Sequence, residues 1–414
     1  MSLRRTIRVY PPEQVTTISD REVPAADVGL RQADVDAIWA AVVRYYRTGV
    51  QPAMSLCVRH RGQIILERAI GHSHGNSPGS PEHAPRQLAT PRTPFNFFSG
   101  SKAVTAMLVH HLDDEGVLHL DDAVADFVPE FARHGKQDVT IRHLVNHRAG
   151  MPTTDDRIDL DVLLDSDAIR QLYCDARLRS VPGRRVAYHA VSAGFVLADV
   201  IQAVTGMTIN DYLTKVVREP MGMTNFTYGV PEDRVGEVAR DAFTGFAQLP
   251  VLDWIMKRGF GGTMEEVVEL ARDPRFLRAV VPSGNIIATA EEVGRFFEML
   301  LRGGTCDDVR VFDERTVRRA TRETAYGVMD EVLMLPVRYG QGFMLGADVA
   351  SLYGLRTPRA FGHLGFTNIL GWADPDRDLS VGFMNSGKPL ITPELVLWLG
   401  IMQTISARIP RVAR

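Results

Sequence analysis

Hydrophobic residues near the N-terminus repeat at helical spacing and then give way to short runs typical of strands. The helical repeat predicts one face of an amphipathic helix, formed by Val35, Ile38, Trp39, Val42, Val43 and Tyr46. The period then changes, because residues 55–58 and 64–66 are short apolar runs with Arg61-Gly62 between them. Such runs around a tight turn predict a β-hairpin.

The middle of the chain predicts a loop followed by a long helical region. Residues 71–94 are rich in Gly, Pro, Ser and His, which is typical of a surface loop. A helical pattern begins near Ser99 and continues to about Glu115. Residues 120–280 contain many helical patterns and few β-branched runs, so we predict that this stretch is mostly helical.

Strand patterns return towards the C-terminus. Residues 367–373 and 379–384 flank Asp374-Pro375-Asp376-Arg377, a strong turn sequence, and predict a second antiparallel hairpin. Thr392 as N-cap and Pro393 at the first helical position then predict a final helix. Strand-forming regions at both ends with a helical block between them indicate an α+β fold with an inserted helical lobe.

Charge and composition exclude several classes of protein. The 414 residues include 47 Lys and Arg against 50 Asp and Glu, a net charge of −3 that argues against nucleic acid as a partner. The longest apolar run, residues 395–402, is far shorter than the roughly 20 residues of a membrane span. No apolar stretch follows the charged N-terminus, so a secretory signal is not expected. A cytoplasmic protein is predicted, and the sparse, separated cysteines fit a reducing compartment: Cys57, Cys174 and Cys306.

The first candidate for catalysis is Ser99-Gly100-Ser101-Lys102, at the start of a predicted helix. Residues three apart share a helix face, so Lys102 can place its amine beside the Ser99 hydroxyl. A desolvated lysine can be neutral and accept the serine proton, and the helix N-terminus offers free N–H donors. The pattern is typical of a nucleophilic serine, although a serine cap followed by a solvated lysine has the same sequence.

Two later segments carry further candidates. Tyr188 lies within residues 182–194 at a predicted loop-to-helix junction. A tyrosine at such a position either takes part in catalysis or packs in the hydrophobic core. Phe361-Gly362-His363-Leu364-Gly365-Phe366 enters the first strand of the late hairpin. Glycines there allow a backbone or ligand to approach closely, whereas the structural alternative is a β-bulge with a hydrogen-bonded histidine.

In this order, the three segments resemble the serine β-lactamase and penicillin-binding-protein superfamily, and within it the esterases related to class C β-lactamases. Further segments share the resemblance, which covers about residues 31–407: residues 116–122, 141–152, 219–223 and 282–285. The resemblance implies a β-lactamase/transpeptidase-like α+β fold, an antiparallel sheet flanked by helices with an inserted all-helical lobe.

The implied domain organisation divides the chain in two. Residues 1–30 are expected to be an N-terminal extension, and residues 31–414 a serine hydrolase domain. Within that domain, we expect residues 31–115 and 281–414 to form the α/β lobe, and residues 116–280 the helical lobe.

The resemblance also implies roles for individual residues. Ser99 matches the nucleophile, Lys102 the lysine that helps to deprotonate it, and Tyr188 the general base that later protonates the leaving group. The backbone N–H groups of Ser99 and Phe366 are expected to form the oxyanion hole. Substrate contacts are expected from the neighbouring residues His363, Gly365 and His189.

The chain departs from the β-lactamase pattern at two positions. Ala190 stands where β-lactamases have an asparagine, and His363-Leu364-Gly365 replaces K-T-G. Loss of an amide partner and a fixed cation weakens binding of an anionic lactam and suits an uncharged ester. We therefore predict a carboxylesterase for a small-molecule ester or acyl substrate, with no cofactor. The alternatives are a β-lactamase, a D-amino-acid peptidase, or a non-catalytic binding domain of the same fold.

Two other patterns are weaker candidates. Gly75-Asn76-Ser77-Pro78-Gly79 matches the nucleophile elbow G-x-S-x-G, but that motif requires a strand before it and a helix after it, and a loop is predicted here. Three histidine pairs resemble metal ligands, yet no H-E-x-x-H motif is present and no metal is predicted. These pairs are His72 and His74, His110 and His111, and His143 and His147.

Overall fold

A ten-stranded antiparallel sheet lies at the centre of the computed structural model. The model describes residues 4–152, 159–246, 256–257, 262–389 and 392–412. The strands are β1 (Arg4–Arg5), β2 (Thr16–Ile18), β3 (Ala53–His60), β4 (Gln63–His74), β5 (Gln87–Leu88), β6 (Phe95–Asn96), β7 (Thr227–Tyr228), β8 (Gly245–Phe246), β9 (Ile286–Ala288), β10 (Thr305–Cys306), β11 (Val309–Arg310), β12 (Ala325–Asp330), β13 (Leu335–Tyr339), β14 (Met344–Leu345), β15 (Ala350–Ser351), β16 (Gly354–Leu355), β17 (Phe361–Leu364), β18 (Leu370–Asp374) and β19 (Leu379–Asn385). The order in the sheet is β12-β13-β14-β17-β18-β19-β3-β4-β2, and β5 pairs with β4.

Helices cover both faces of the sheet and fill much of the sequence between β6 and β9. They are α1 (Pro12–Val15), α2 (Gln32–Tyr46), α3 (Ser101–Asp114), α4 (Ile141–Val145), α5 (Leu160–Leu164), α6 (Ser166–Asp175), α7 (Ser192–Thr205), α8 (Ile209–Leu213), α9 (Met264–Arg272), α10 (Pro274–Arg278), α11 (Ala290–Leu301), α12 (Glu314–Ala320) and α13 (Leu395–Arg408). Short 3₁₀ segments lie between them, including one at Phe98–Gly100 just before α3.

Two hydrophobic clusters hold the helices against the sheet. Along β3, Met54, Leu56 and Val58 pack in the cluster with α2 and α13. Cys57, which points to the opposite face, packs in the cluster with α3 and α11. This alternation follows from the two-residue period of a strand, so the side chains of one apolar strand pack against the helices on both faces of the sheet.

The structure confirms the main elements predicted from periodicity. The predicted first helix is α2, and the two hairpins are β3–β4 and β18–β19. Arg61 and Gly62 both have left-handed φ values, 53° and 79°, as a two-residue hairpin turn requires. In the described parts of the stretch predicted to be helical, helices dominate and the strands are two residues long.

Three local predictions were wrong. Strand β4 continues to His74, where it pairs with β5, so the loop predicted from residue 71 begins at residue 75. The segment containing His363 is a separate strand, β17, rather than the start of the late hairpin. Thr392 is not an N-cap, because α13 begins at Leu395 after Glu394 and the intervening backbone forms a turn in which Leu395 N–H donates to the Thr392 carbonyl.

The N-terminal residues join the body of the fold. Strand β2 pairs with β4 at one edge of the large sheet, and β1 pairs with β8. The division into lobes stays a prediction. Within the described ranges, no single helix is long and apolar enough to cross a membrane. Only two consecutive helical segments that meet at 76° reach that length and composition together, Ser192–Thr205 and Ile209–Arg218.

Candidate active site

Ser99 lies on the 3₁₀ turn that leads into α3. Its side chain is half-buried, while the aromatic residues before it are buried. Phe98, directly before it, has a left-handed φ of 48°, a rare conformation for a bulky residue. The Phe98 N–H donates to Asn96 Oδ1 at 2.9 Å, which helps to hold this turn. A sharp, partly exposed turn places Ser99 Oγ where a substrate can reach it.

Lys102 lies beside Ser99, as the helical spacing predicts. Its Nζ is 3.2 Å from Ser99 Oγ and donates to the Ser283 carbonyl at 2.8 Å. The side chain is buried, and no carboxylate forms a salt bridge with it among the described residues. Burial without a counter-charge lowers the pKa of Lys102 from 10.5 to about 7. A substantial fraction of the amine is therefore neutral at pH 7 and can accept a proton.

Tyr188 lies next to both Ser99 and Lys102, in the loop before α7. Its ring centroid is 5.0 Å from Lys102 Nζ. Burial raises the pKa of Tyr188 above its usual value, and a hydrogen bond with the Ser99 side chain lowers it in part. The Tyr188 N–H donates to Asp330 Oδ1 at 3.1 Å, and the same oxygen accepts the N–H groups of Val332 and Leu333. Asp330 thus fixes the Tyr188 loop against the β12–β13 turn.

Three buried histidines surround Tyr188. The ring centroid of His147 is 4.7 Å from that of Tyr188 and 5.9 Å from that of His189, while His363 lies 6.4 Å from Tyr188. Burial lowers the pKa of His189 to about 4 and of His363 to about 3, and that of His147 falls well below 6.5. All three are therefore neutral at pH 7. The structure brings both predicted histidines to the site and adds His147.

The third segment reaches the nucleophile through Gly365 and Phe366. A Cβ on Gly365 would lie 2.7 Å from the Phe97 carbonyl oxygen, so only glycine allows this approach. The ring of Phe366 packs on that of Phe98, with 5.4 Å between centroids. The two residues predicted to supply oxyanion-hole N–H groups, Ser99 and Phe366, therefore belong to two chain segments in contact.

Several residues that support the site carry no local sequence signal for their role. Ser283, whose carbonyl binds Lys102, belongs to one of the segments on which the family resemblance depends. Its hydroxyl accepts the Gly194 N–H at 3.0 Å and so ties it to α7. Asp330 and His147 were not predicted to contact Tyr188. Asp330 is the last residue of β12, and the sequence distinguishes His147 only as a member of a histidine pair and of the segment 141–152.

Ser77 lies away from this arrangement, and of the histidine pairs only His147 is part of it. Ser77 follows β4 and lies in a segment of bends and turns, with no helix over residues 75–86. His143 accepts the Thr140 N–H at its Nδ1 atom, 3.1 Å away, as part of the cap of α4. Within the described part of the chain, no three His, Cys, Asp or Glu side chains come together as metal ligands would.

Comparisons with known proteins concern the family and the fold. The chain matches the family model described as Beta-lactamase over residues 39–404. It is 26% identical over 327 residues to "Esterase/beta-lactamase LipL" of Mycobacterium tuberculosis (strain ATCC 25618 / H37Rv), covering 74% of this chain and 73% of that protein.

Two solved structures share its fold. A penicillin-binding-protein homologue from Caulobacter crescentus superposes with a TM-score of 0.77 at 25% identity, covering 92% of this chain and 99% of its own. A family VIII carboxylesterase superposes with a TM-score of 0.75 at 24% identity, and the match covers 90% of this chain and 98% of the carboxylesterase. These superpositions confirm the fold predicted from the sequence.

Proposed function

The chain belongs to the beta-lactamase family and is a serine hydrolase of that family, and we propose that it is a carboxylesterase that forms a covalent acyl-enzyme on Ser99. The observation that carries the proposal is the contact between Ser99 Oγ and Lys102 Nζ, 3.2 Å apart, with the pKa of Lys102 lowered by burial to about 7. A neutral amine at that distance activates a serine hydroxyl. The similarity to LipL, which is named as an esterase and β-lactamase, supports the same reaction class.

The proposed reaction has two halves. In the first, Ser99 Oγ attacks the ester carbonyl as its proton passes to the Lys102–Tyr188 pair, and the N–H groups of Ser99 and Phe366 hold the oxyanion. The carbon–oxygen bond to the alcohol then breaks, and the alcohol leaves with the proton. In the second half, water gives up a proton to the same pair, attacks the acyl carbon and releases the acid, and the proton returns to Ser99.

The surroundings of Tyr188 favour an uncharged ester over a β-lactam. His363 stands where a lysine would bind the lactam carboxylate, and burial keeps it neutral. Ala190 stands where an asparagine would bind the amide, and it packs with Tyr188 and Val332 in an apolar cluster. His363 therefore offers no fixed cation for a carboxylate, and the Ala190 side chain offers no hydrogen bond for an amide. We also propose that the protein acts in the cytoplasm, as its cysteine usage predicts.

The proposal is tested with purified protein and p-nitrophenyl esters of increasing acyl length. Ser99→Ala should lower kcat by about 10⁶-fold, as loss of the nucleophile does in other serine hydrolases. Ser77→Ala is the matched control and should retain full activity. Mass spectrometry after treatment with a fluorophosphonate should place the adduct on Ser99. An adduct on Ser77, or activity retained in Ser99→Ala, would overturn the proposal.

A further inference from the structure

Backbone strain lies on both sides of the proposed oxyanion hole. Phe98, before Ser99, has φ 48°, and Thr367 and Asn368, after Phe366, have φ 45° and 65°. Bulky and β-branched residues such as Phe98 and Thr367 are unfavourable in the left-handed region and need support from the surrounding structure, whereas Asn tolerates it better. The surroundings of these two turns must therefore hold them in place.

Lys388 lies directly behind the first turn. It is fully buried, and its Nζ is 4.8 Å from the ring centroid of Phe98. The ammonium is balanced by Asp241, whose Oδ1 is 3.0 Å away, and it donates to the Asn385 carbonyl at 2.7 Å. A buried cation paired in this way has a fixed position. Its charge attracts the aromatic ring of Phe98, the residue before the nucleophile.

The second turn is linked to the same lysine through Asn385. Asn385 Nδ2 donates to the Asn368 carbonyl at 2.7 Å, and Asn368 Nδ2 in turn donates to the Tyr45 hydroxyl at 2.8 Å. All of these side chains are buried. The strained turn after Phe366 is thus anchored by a polar chain that begins at Lys388.

We propose that Lys388, held by Asp241, is a positioning residue that aligns both N–H donors of the oxyanion hole. Through the Phe98 ring it sets the turn that presents the Ser99 N–H, and through Asn385 it sets the turn that presents the Phe366 N–H. The two turns also touch each other through the rings of Phe98 and Phe366. The inference rests on the proposed function, because it assigns Lys388 a part in stabilising the oxyanion of that reaction.

A positioning role differs from a purely structural one in its effect on transition-state binding. Removing Lys388 alone would leave the Asp241 carboxylate buried without a partner, so the test uses Lys388→Met combined with Asp241→Asn. The matched control is Lys136→Met. Lys136 is also fully buried and donates to backbone carbonyls, but those belong to residues outside the site: Arg133, Cys174 and Ala176.

The assays are kcat and KM for a p-nitrophenyl ester and the inhibition constant of a boronic acid, whose tetrahedral adduct places an oxygen in the oxyanion hole. Loss of one oxyanion donor costs about 10²–10³-fold in kcat. For the double variant, whose donors are displaced rather than removed, we expect kcat to fall about 10- to 100-fold. Boronate affinity should fall in parallel while KM changes little. Lys136→Met should lower the melting temperature. The folded fraction of that variant should keep the kcat and the boronate affinity of the unmodified protein.

Unchanged kcat and boronate affinity in the folded double variant would overturn the proposal, as would an equal loss in Lys136→Met. If the double variant does not fold, Asn385→Ala tests the link, because it removes the donor to the Asn368 carbonyl and adds no charge beside Lys388. It should weaken boronate binding, and full affinity there would also overturn the proposal. Activity retained in Ser99→Ala would instead refute the proposed function, whatever Lys388 does.

Discussion

The pH dependence of ester hydrolysis follows from the burial of Lys102. In water, a lysine amine with its ordinary pKa of 10.5 would be neutral in only about one molecule in 3,000 at pH 7. With the pKa lowered to about 7, half of the molecules carry the neutral amine. Desolvation therefore raises the population of the active form at pH 7 by roughly three orders of magnitude. The rate should rise with pH, because the base works in its unprotonated form.

Other titrating groups near Ser99 do not account for a change centred near pH 7. The pKa values of His189 and His363 are lowered to about 4 and about 3, and that of His147 lies well below 6.5. The pKa of Tyr188 is raised above its usual value. Of these groups and Lys102, only the lysine changes charge between pH 6 and pH 8.

The assay is kcat/KM for a p-nitrophenyl ester from pH 5.5 to 9, read at the wavelength where p-nitrophenol and its anion absorb equally. We expect a rising limb with an apparent pKa near 7 and a tenfold change per pH unit below about pH 6. Lys102→Arg cannot release its proton and should lose both the activity and the limb. Lys136→Met should keep the limb. A flat profile from pH 5.5 to 9, as a base with a pKa near 4 would give, would refute the reasoning.

Three further predictions concern the same site. Tyr188→Phe should lower kcat by about 10²–10⁴-fold. Adding Lys102→Ala should lower kcat little further, because both side chains take part in the same proton transfer. Additive losses in a double-mutant cycle would contradict this. Gly194→Ala should unfold at lower temperature and lose activity, because its Cβ would lie 2.2 Å from Ser283 Oγ, whereas Gly400→Ala meets nothing and should be tolerated. Esters should be hydrolysed at least about 100-fold more efficiently than nitrocefin, with Ser99→Ala as the blank, and equal rates would favour a β-lactamase.

Local pattern was enough to predict most of the fold. The helical repeat that ends at Tyr46 and the strands on either side of Arg61-Gly62 are set by residues close in sequence, so periodicity and turn chemistry reveal them. Where neighbours distant in sequence decide, pattern failed. Residues 71–74 have a loop-like composition but continue β4, because β5 supplies their hydrogen bonds. Thr392 has the chemistry of a cap, yet the helix begins three residues later.

The candidate site shows the same division between local and distant contacts. Ser99 and Lys102 are three residues apart, and helix geometry alone places them together. The Ser283 carbonyl that binds Lys102 is 181 residues away, and the Asp330 carboxylate that holds Tyr188 is 142 residues from it. No spacing rule connects such pairs. They become visible only when the sheet and the helices are assembled.

Burial links the predicted chemistry to the predicted substrate class. The same desolvation that lowers the pKa of Lys102 also keeps His147, His189 and His363 neutral, so none of the three histidines supplies a fixed positive charge. A β-lactam carboxylate would meet no cation at the position of His363, and a buried unpaired charge is costly. An uncharged ester requires only the nucleophile, the proton path and the oxyanion donors. The environment that activates Lys102 therefore also selects against anionic substrates.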